Sequence, residues 1–196
     1  MPVMASRTEK PLFSVRGLGG HLLTEKDAPV LQKLLERCHD YFEIVEGRRP
    51  KAGAALRELR TVPPAVPLKH LIPIGLFAAN GALGGVILAL RHYRRENQWY
   101  LSLQLLELKW RGRGVGRDIY LAFEAWAKSE NADSILLSVV EANKRAAHFW
   151  ERLSFGLPRC YPAQAFGRKR HVLIEYEKPL VAGVEGITPR QSPPPI

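Results

Sequence analysis

The sequence is poor in cysteine, with Cys38 and Cys160 as its two thiols in 196 residues. Two cysteines cannot build a disulfide scaffold, which points to a reducing, cytoplasmic setting. Long apolar runs are also missing. The longest, Ala82 to Leu90, contains two glycines and is strand-sized, whereas a membrane helix needs roughly 20 apolar residues. The N-terminal MPVMASRTEK lacks the apolar core of a signal peptide. These shortages exclude a secreted cystine-rich domain and a membrane protein, and the composition excludes a coiled coil.

What is present is the composition of an ordinary globular domain, 46% hydrophobic and 24% charged. A chain of this length buries roughly 70% of its unfolded surface and needs no staples. Acids are outnumbered: 29 Lys and Arg face 19 Asp and Glu, a net charge of +10. Such an excess favours polyanionic partners, whether nucleic acid, an anionic surface or a phosphate-rich cofactor. The plainer alternative is charge that keeps the protein soluble.

Residues 1–10 read as a flexible N-terminus, 11–180 as one domain, and 181–196, with four prolines, as a disordered tail. Pro11 to Val15 is a short strand candidate, followed by the glycine-rich segment 17–20. Thr24 or Asp27 can cap a helix in which Leu31, Leu34, Leu35 and Cys38 recur at helical spacing. Ala52 to Arg60 is a second short helix candidate. Leu71–Phe77 and Leu83–Leu90 read as strands joined by the turn signal Asn80-Gly81. Trp99–Leu108 is a further strand, then a helix opens near Gly116 and runs to about Asn131. Ser134–Val140 is a strand, Asn143 caps a helix ending near Leu153, and His171–Glu177 is the last strand. The whole is a mixed α/β domain on one central sheet.

Arg111-Gly112-Arg113-Gly114-Val115-Gly116 lies between a strand and a helix. Alternating glycines let a ligand approach the backbone. The amides there converge at a helix N-terminus that favours an anion, and Arg111, Arg113 and Arg117 add charge. A pyrophosphate fits this chemistry. The dinucleotide fingerprint fails because Arg117 stands where its third glycine is needed, and the Gly-Lys-Ser/Thr of a P-loop is absent. A glycine-rich turn with solvated arginines is the competing reading.

Arg111-x-x-Gly114-x-Gly116 resembles the acetyl-CoA pyrophosphate loop of GNAT-type (GCN5-related) N-acetyltransferases. Downstream, Asn143-x-x-Ala146-x-x-Phe149-Trp150-x-x-Leu153-x-Phe155 is similar to the family's second cofactor motif. The resemblance implies an acyl-CoA N-acyltransferase fold: a central, mostly antiparallel twisted sheet, splayed at the cofactor cleft and flanked by about four helices. It implies acetyl-CoA as co-substrate and no metal. It also implies an acetyltransferase that moves an acetyl group to a primary amine by direct attack in a ternary complex. Leu106 and Leu108 would supply backbone contacts, residues 111 to 116 would wrap the pyrophosphate beside Arg117, and Asn143 and Trp150 would meet the pantetheine arm.

The reaction needs a base for the amine, a donor for the oxyanion and a proton for the departing thiolate. The resemblance places the oxyanion donor at a backbone amide near Leu106. Glu107 and Glu141, at successive strand ends, are base candidates, and each could equally pair with an arginine. Many members carry a tyrosine acid where this chain has Trp150, whose indole cannot protonate a thiolate. Tyr161 is a possible substitute, and water can suffice because a free thiol has a pKa of about 8.5. A second departure is Ser154, where glycine is usual.

For the acceptor, Asp40-Tyr41-Phe42-Glu43-x-x-Glu46 gathers acids and aromatics in a basic chain, with Tyr41 and Glu43 as candidate contacts. Tyr100, Ser102 and Gln104 alternate on one strand and can face the acceptor, Gln104 being the foremost candidate. Arg48, Arg49 and Lys51 could instead recognise a carboxylate. The expected partner is a small amine, an amino-acid-like acceptor or a protein amine. Neither a membrane nor nucleic acid is expected, and the protein is expected to be a monomer or homodimer. Trp150 keeps open a second reading, a catalytically weak domain that binds CoA as a sensor or scaffold.

Overall fold

The computed structural model describes residues 10–180, so the expected loose N-terminus and proline-rich tail fall outside the described residues. Eight strands form one sheet: β1 (Phe13–Val15), β2 (Leu18–Leu22), β3 (Leu71–Ala78), β4 (Leu83–Leu90), β5 (Gln98–Leu106), β6 (Ser134–Val140), β7 (Gly156–Phe166) and β8 (Lys169–Pro179). Their spatial order is β1-β2-β3-β4-β5-β6-β8-β7. Every neighbouring pair is antiparallel except β5 and β6. Five helices flank it: α1 (Ala28–Arg37), α2 (His39–Glu46), α3 (Ala54–Glu58), α4 (Val115–Ser129) and α5 (Lys144–Glu151). This is the mixed α/β architecture that the sequence predicts.

The sheet buries both faces. On one, α4 packs Ile119, Tyr120, Phe123 and Ala127 against Ile74, Ile87, Trp99 and Ile135. On the other, α1 packs Leu31, Leu34 and Leu35 against Phe77, Val86, Leu88 and Leu105. Cys38 is fully buried in that second cluster and pairs with no other cysteine. Burying a Leu-sized side chain contributes about 1.5–3 kcal/mol, so these helices are held mainly by their apolar stripes.

Two strands escape the sequence reading. β2 carries Gly19 and Gly20, which look like loop residues. Its Gly20 is needed because Phe13 of β1 lies across it: a Cβ there would come within 2.9 Å of the Phe13 ring. β7 has only Phe166 buried along its length, so it lacks the apolar alternation that marks a strand. It exists because it pairs along β8.

The feature that positions the site is a break between β5 and β6. They pair in parallel from Gln98–Ser134 to Leu101–Leu137 and then separate. At the same point β5 carries a bulge: Leu88 of β4 faces Leu103 while Ala89 faces Leu101, leaving Ser102 as the extra residue. Its hydroxyl donates to the Leu88 carbonyl at 3.1 Å. A bulge adds one residue to one strand and bends it, which takes β5 away from β6.

Candidate active site

A cavity of about 540 Å³ occupies the splay. It is lined on one side by Asn143, Ala146 and Trp150 of α5 and its cap, and on the other by Tyr41, Phe42 and Glu46 of α2 and Glu58 of α3. Because α5 and α2 pack on opposite faces of the sheet, the cavity passes through the sheet between β5 and β6. Gln104 and Ser138 line it from the two strands. Gln104 Oε1 and Ser138 Oγ are buried without a hydrogen-bond partner among the described residues. A buried polar atom left unpaired costs about 1–3 kcal/mol, so the amide oxygen awaits a donor and the hydroxyl a partner of either kind.

The glycine loop stands at the end of this cleft. Gly112 and Gly114 have φ of 80° and 77°, a region that only glycine enters at no steric cost. A Cβ on Gly112 would meet nothing within 4 Å, and one on Gly114 would touch only Arg16 Nη2 at 4.0 Å. Gly114 caps α4, whose first amides have no intrahelical partner. The first helical bond here is Asp118 N–H to the Gly114 carbonyl. The loop therefore presents open backbone donors and a positive helix end to the solvent side. Val115 is buried in the core and anchors the turn. Arg113 and Arg117 are exposed beside it. Arg16 reaches the same place from the β1–β2 turn, its Nε donating to Asp118 Oδ2 at 2.7 Å. No local signal marks Arg16, which lies about a hundred positions upstream in sequence.

Arg111 faces elsewhere. Its Nε donates to the Leu106 carbonyl at 2.6 Å, and its guanidinium forks onto both oxygens of Asp40. The guanidinium holds the Asp40 carboxyl below its usual range, against the opposing effect of burial. Cys38 Sγ also donates to the Leu106 carbonyl, at 3.4 Å, and burial pushes its thiol pKa up. This cluster ties the start of α2 to the end of β5. The Glu107 amide bonds to Gly84 of β4, so strand alternation turns the Leu106 amide to the opposite edge, the one that faces the splay. Leu108 is exposed on the short helical turn that follows β5.

The structure does not bring the sequence-derived acid and base candidates into the cavity. Glu107 is held by Arg37 at 3.1 Å and Lys109 at 3.1 Å. Glu141 is exposed and accepts from the Val172 amide at 3.2 Å. Tyr161 donates to Glu175 Oε1 at 3.1 Å, within a buried pair that Arg94 completes. Its phenol is pushed up by burial and by the Glu175 charge. None of the three lines the cavity. Of the acceptor candidates, Tyr41 and Gln104 do line it, whereas Glu43 is exposed and pairs with His39 and Arg49. Gln104 Nε2 donates to the Gly116 carbonyl at 3.0 Å, on the α4 face. Trp150 packs edge-on against Tyr120 and Phe155, and Asn143 Oδ1 accepts from the Ala146 amide at 3.2 Å. Ser154 takes a left-handed φ of 66°, the conformation in which glycine is usual.

Glu58 is the lining residue that sequence reasoning passes over, since it reads as an ordinary charge on a short helix. It is half-buried, and burial raises its carboxyl pKa, with Glu46 adding to the shift and Arg57 opposing it. Among the described residues no histidine or lysine lines the cavity, and no group of three or more His, Cys, Asp or Glu could hold a metal ion. No described helix is long and apolar enough to cross a membrane.

Comparison with known proteins matches this architecture. An acetyltransferase from Thermus thermophilus is 24% identical, covers 85% of this chain and 99% of its own, and superposes with a TM-score of 0.67. The ribosomal-protein-S5-alanine acetyltransferase of Vibrio fischeri is 14% identical, with 87% and 97% coverage and a TM-score of 0.66. The ribosomal-protein-S18-alanine N-acetyltransferase of Escherichia coli is 13% identical, with 87% and 99% coverage and a TM-score of 0.61. No curated protein sequence gives a significant match. The family model for the acetyltransferase (GNAT) family matches residues 32–155, more than half of the chain and the stretch that builds both walls of the splay, and the chain belongs to that family.

Proposed function

We propose that the protein is an acetyl-CoA-dependent N-acetyltransferase in which a primary amine attacks the thioester directly. The observation that supports this most is the cavity running through the sheet between β5 and β6. It lets a donor enter from the α4 and α5 face and an acceptor from the α1 to α3 face, so the two meet without a covalent enzyme intermediate.

The residues present fit CoA. The open amides at the start of α4, with Arg113, Arg117 and Arg16 around them, suit a pyrophosphate. The unpartnered Gln104 Oε1 and Ser138 Oγ suit the amide N–H groups of a pantetheine arm. When bound, acetyl-CoA supplies an acyl group on a good leaving thiol. The Leu106 amide, turned to the splay, is the donor for the carbonyl oxygen, and such a donor is worth about 2.7–4 kcal/mol in other enzymes. Trp150 packs the wall beside the arm and holds no transferable proton. Arg111 positions the Leu106 peptide through its own bond to that carbonyl, rather than contacting phosphate. The S5 and S18 neighbours act on ribosomal-protein alanine by their names, but at their low identity they speak for the fold alone and leave the acceptor to this chain's own residues.

Calorimetry with acetyl-CoA, followed by free-thiol release over an amine panel, tests this. Saturable binding with amine-dependent thiol release is expected. Binding without release by any amine would favour a CoA-binding sensor, and absence of binding would overturn the reading.

A further inference from the structure

On the acceptor side the cavity wall is mostly apolar and aromatic, from Tyr41, Phe42, Leu90 and Tyr100. Its charged lining groups are Glu46, Arg48, Arg57 and Glu58. Two of these cancel: Arg48 Nε donates to Glu46 at 3.0 Å. Arg57 is exposed. Glu58 has no hydrogen-bond or ion-pair partner among the described residues, although it is half-buried. A buried carboxylate without a partner is costly, so such groups are paired or bound to a ligand. The phenols beside it do not replace a partner. Tyr41 and Tyr100 are pushed above their ordinary range by burial, with Glu58 and Glu46 adding to Tyr41's shift, so both stay protonated. Ser138 Oγ lies beside the Tyr100 hydroxyl without meeting hydrogen-bond geometry. The strand-end carboxylates, Glu107 and Glu141, are already engaged.

We propose that Glu58 receives the acceptor's ammonium and takes its proton, and that the acceptor is a primary monoamine with an apolar, aromatic-sized body. The proposal rests on the transferase reading above. One unpaired carboxylate neutralises one ammonium. Arg57, exposed at the cavity wall, and the basic chain disfavour a second positive charge. The aromatic walls suit a hydrophobic body and attract a cation over their faces. The step balances: the ammonium gives one proton to Glu58. The freed amine nitrogen forms the C–N bond as the C–S bond breaks. Its second proton goes to the departing thiolate. Glu58 then releases its proton to water. The sum is ammonium plus acetyl thioester giving amide, thiol and one proton.

The test uses the full chain, acetyl-CoA and four probes: phenethylamine, 1,4-diaminobutane, phenylalanine and an alanine-terminated peptide. Thiol release is followed from pH 5 to 9 for wild type and Glu58→Gln, with acetyl-CoA affinity as the control for folding. Phenethylamine is expected to be the best of the four. Glu58→Gln should lower its kcat/KM by about 10²–10⁴-fold, leave the acetyl-CoA Kd unchanged, and remove the limb on which the rate rises as the carboxyl ionises. A merely structural role would not remove that limb. Turnover of phenethylamine at wild-type rate and pH dependence in Glu58→Gln would overturn the role of Glu58 and spare the transferase reading. Thiol release only with the peptide, the amino acid or the diamine would overturn the acceptor class and spare it too. Acetyl-CoA binding with no thiol release from any probe would overturn the transferase reading and this proposal with it.

Discussion

Gly114→Ala should separate the cofactor loop from the rest of the fold. Gly114 sits at φ 77° and caps α4, and a residue with a Cβ pays about 1–2 kcal/mol to stay there. The added methyl meets only Arg16 Nη2, at 4.0 Å, so no clash enlarges that cost. The free protein can relieve the strain by letting the loop drift to negative φ, which turns its amides away from a common point. Binding must then restore the strained conformation, and the acetyl-CoA Kd should rise by about 5–30-fold, since 1.4 kcal/mol is a factor of ten. Global stability should change by no more than the same 1–2 kcal/mol, a melting shift of about 2–8 °C for a chain of this size. Gly53→Ala is the matched control: φ is +76° and the space is equally open, but the residue caps α3 on the other face of the sheet. It should cost similar stability and leave the acetyl-CoA Kd unchanged. Calorimetry and thermal unfolding read both quantities. An unaltered Kd for Gly114→Ala would refute the assignment of this loop to the pyrophosphate.

Three further outcomes follow from named contacts. Asp40 is held below its ordinary pKa first by its bonds to Arg111, so its contribution is present above the unfolded carboxyl pKa of about 3.9 and lost as pH falls through the lower folded value. Asp40→Asn should therefore flatten the acid limb of stability below about pH 4 by less than about 1 kcal/mol, as the carboxylate is 51% exposed; identical acid denaturation of both proteins would refute the clamp. Arg94→Met should cost about 3–5 kcal/mol in denaturant unfolding because it strands Glu175, which is 2% exposed, and removing Glu175 as well should recover much of the loss; a cost under about 1 kcal/mol for the single variant would refute that account. Deleting Ser102 should keep Leu103, Leu105 and Leu106 on their present faces, because Leu101 and Leu103 already oppose the successive residues Ala89 and Leu88, but it should remove the bend that takes β5 from β6 and weaken acetyl-CoA binding; an unchanged acetyl-CoA Kd in a folded deletion variant would show that the bulge does not open the splay.

That last case shows where the sequence stops being legible. Trp99, Leu101, Leu103 and Leu105 alternate as if on one face, with Tyr100, Ser102, Gln104 and Leu106 on the other. In the structure Trp99 and Leu101 join Leu106 on the α4 face, while Leu103 and Leu105 join Leu88 on the α1 face. One extra residue at Ser102 exchanges the faces, and nothing local distinguishes Ser102 as a bulge. The loop at 111–116 is readable because glycine at a positive φ and a helix start are local chemistry. So is the cap at Asn143, which bonds within three residues. Arg16 and Glu58 are not, because each acquires its neighbourhood from long-range packing: Arg16 through a turn beside Asp118, and Glu58 through a short helix laid over the splay. The same long-range packing decides the surroundings of the strand-end carboxylates. Glu107 and Glu141 have the right place along the chain, yet Arg37 of α1 and the Val172 amide of β8 engage them. Sequence spacing fixes which carboxylates lie near the end of a strand; only the packed helices decide which of them remains without a partner.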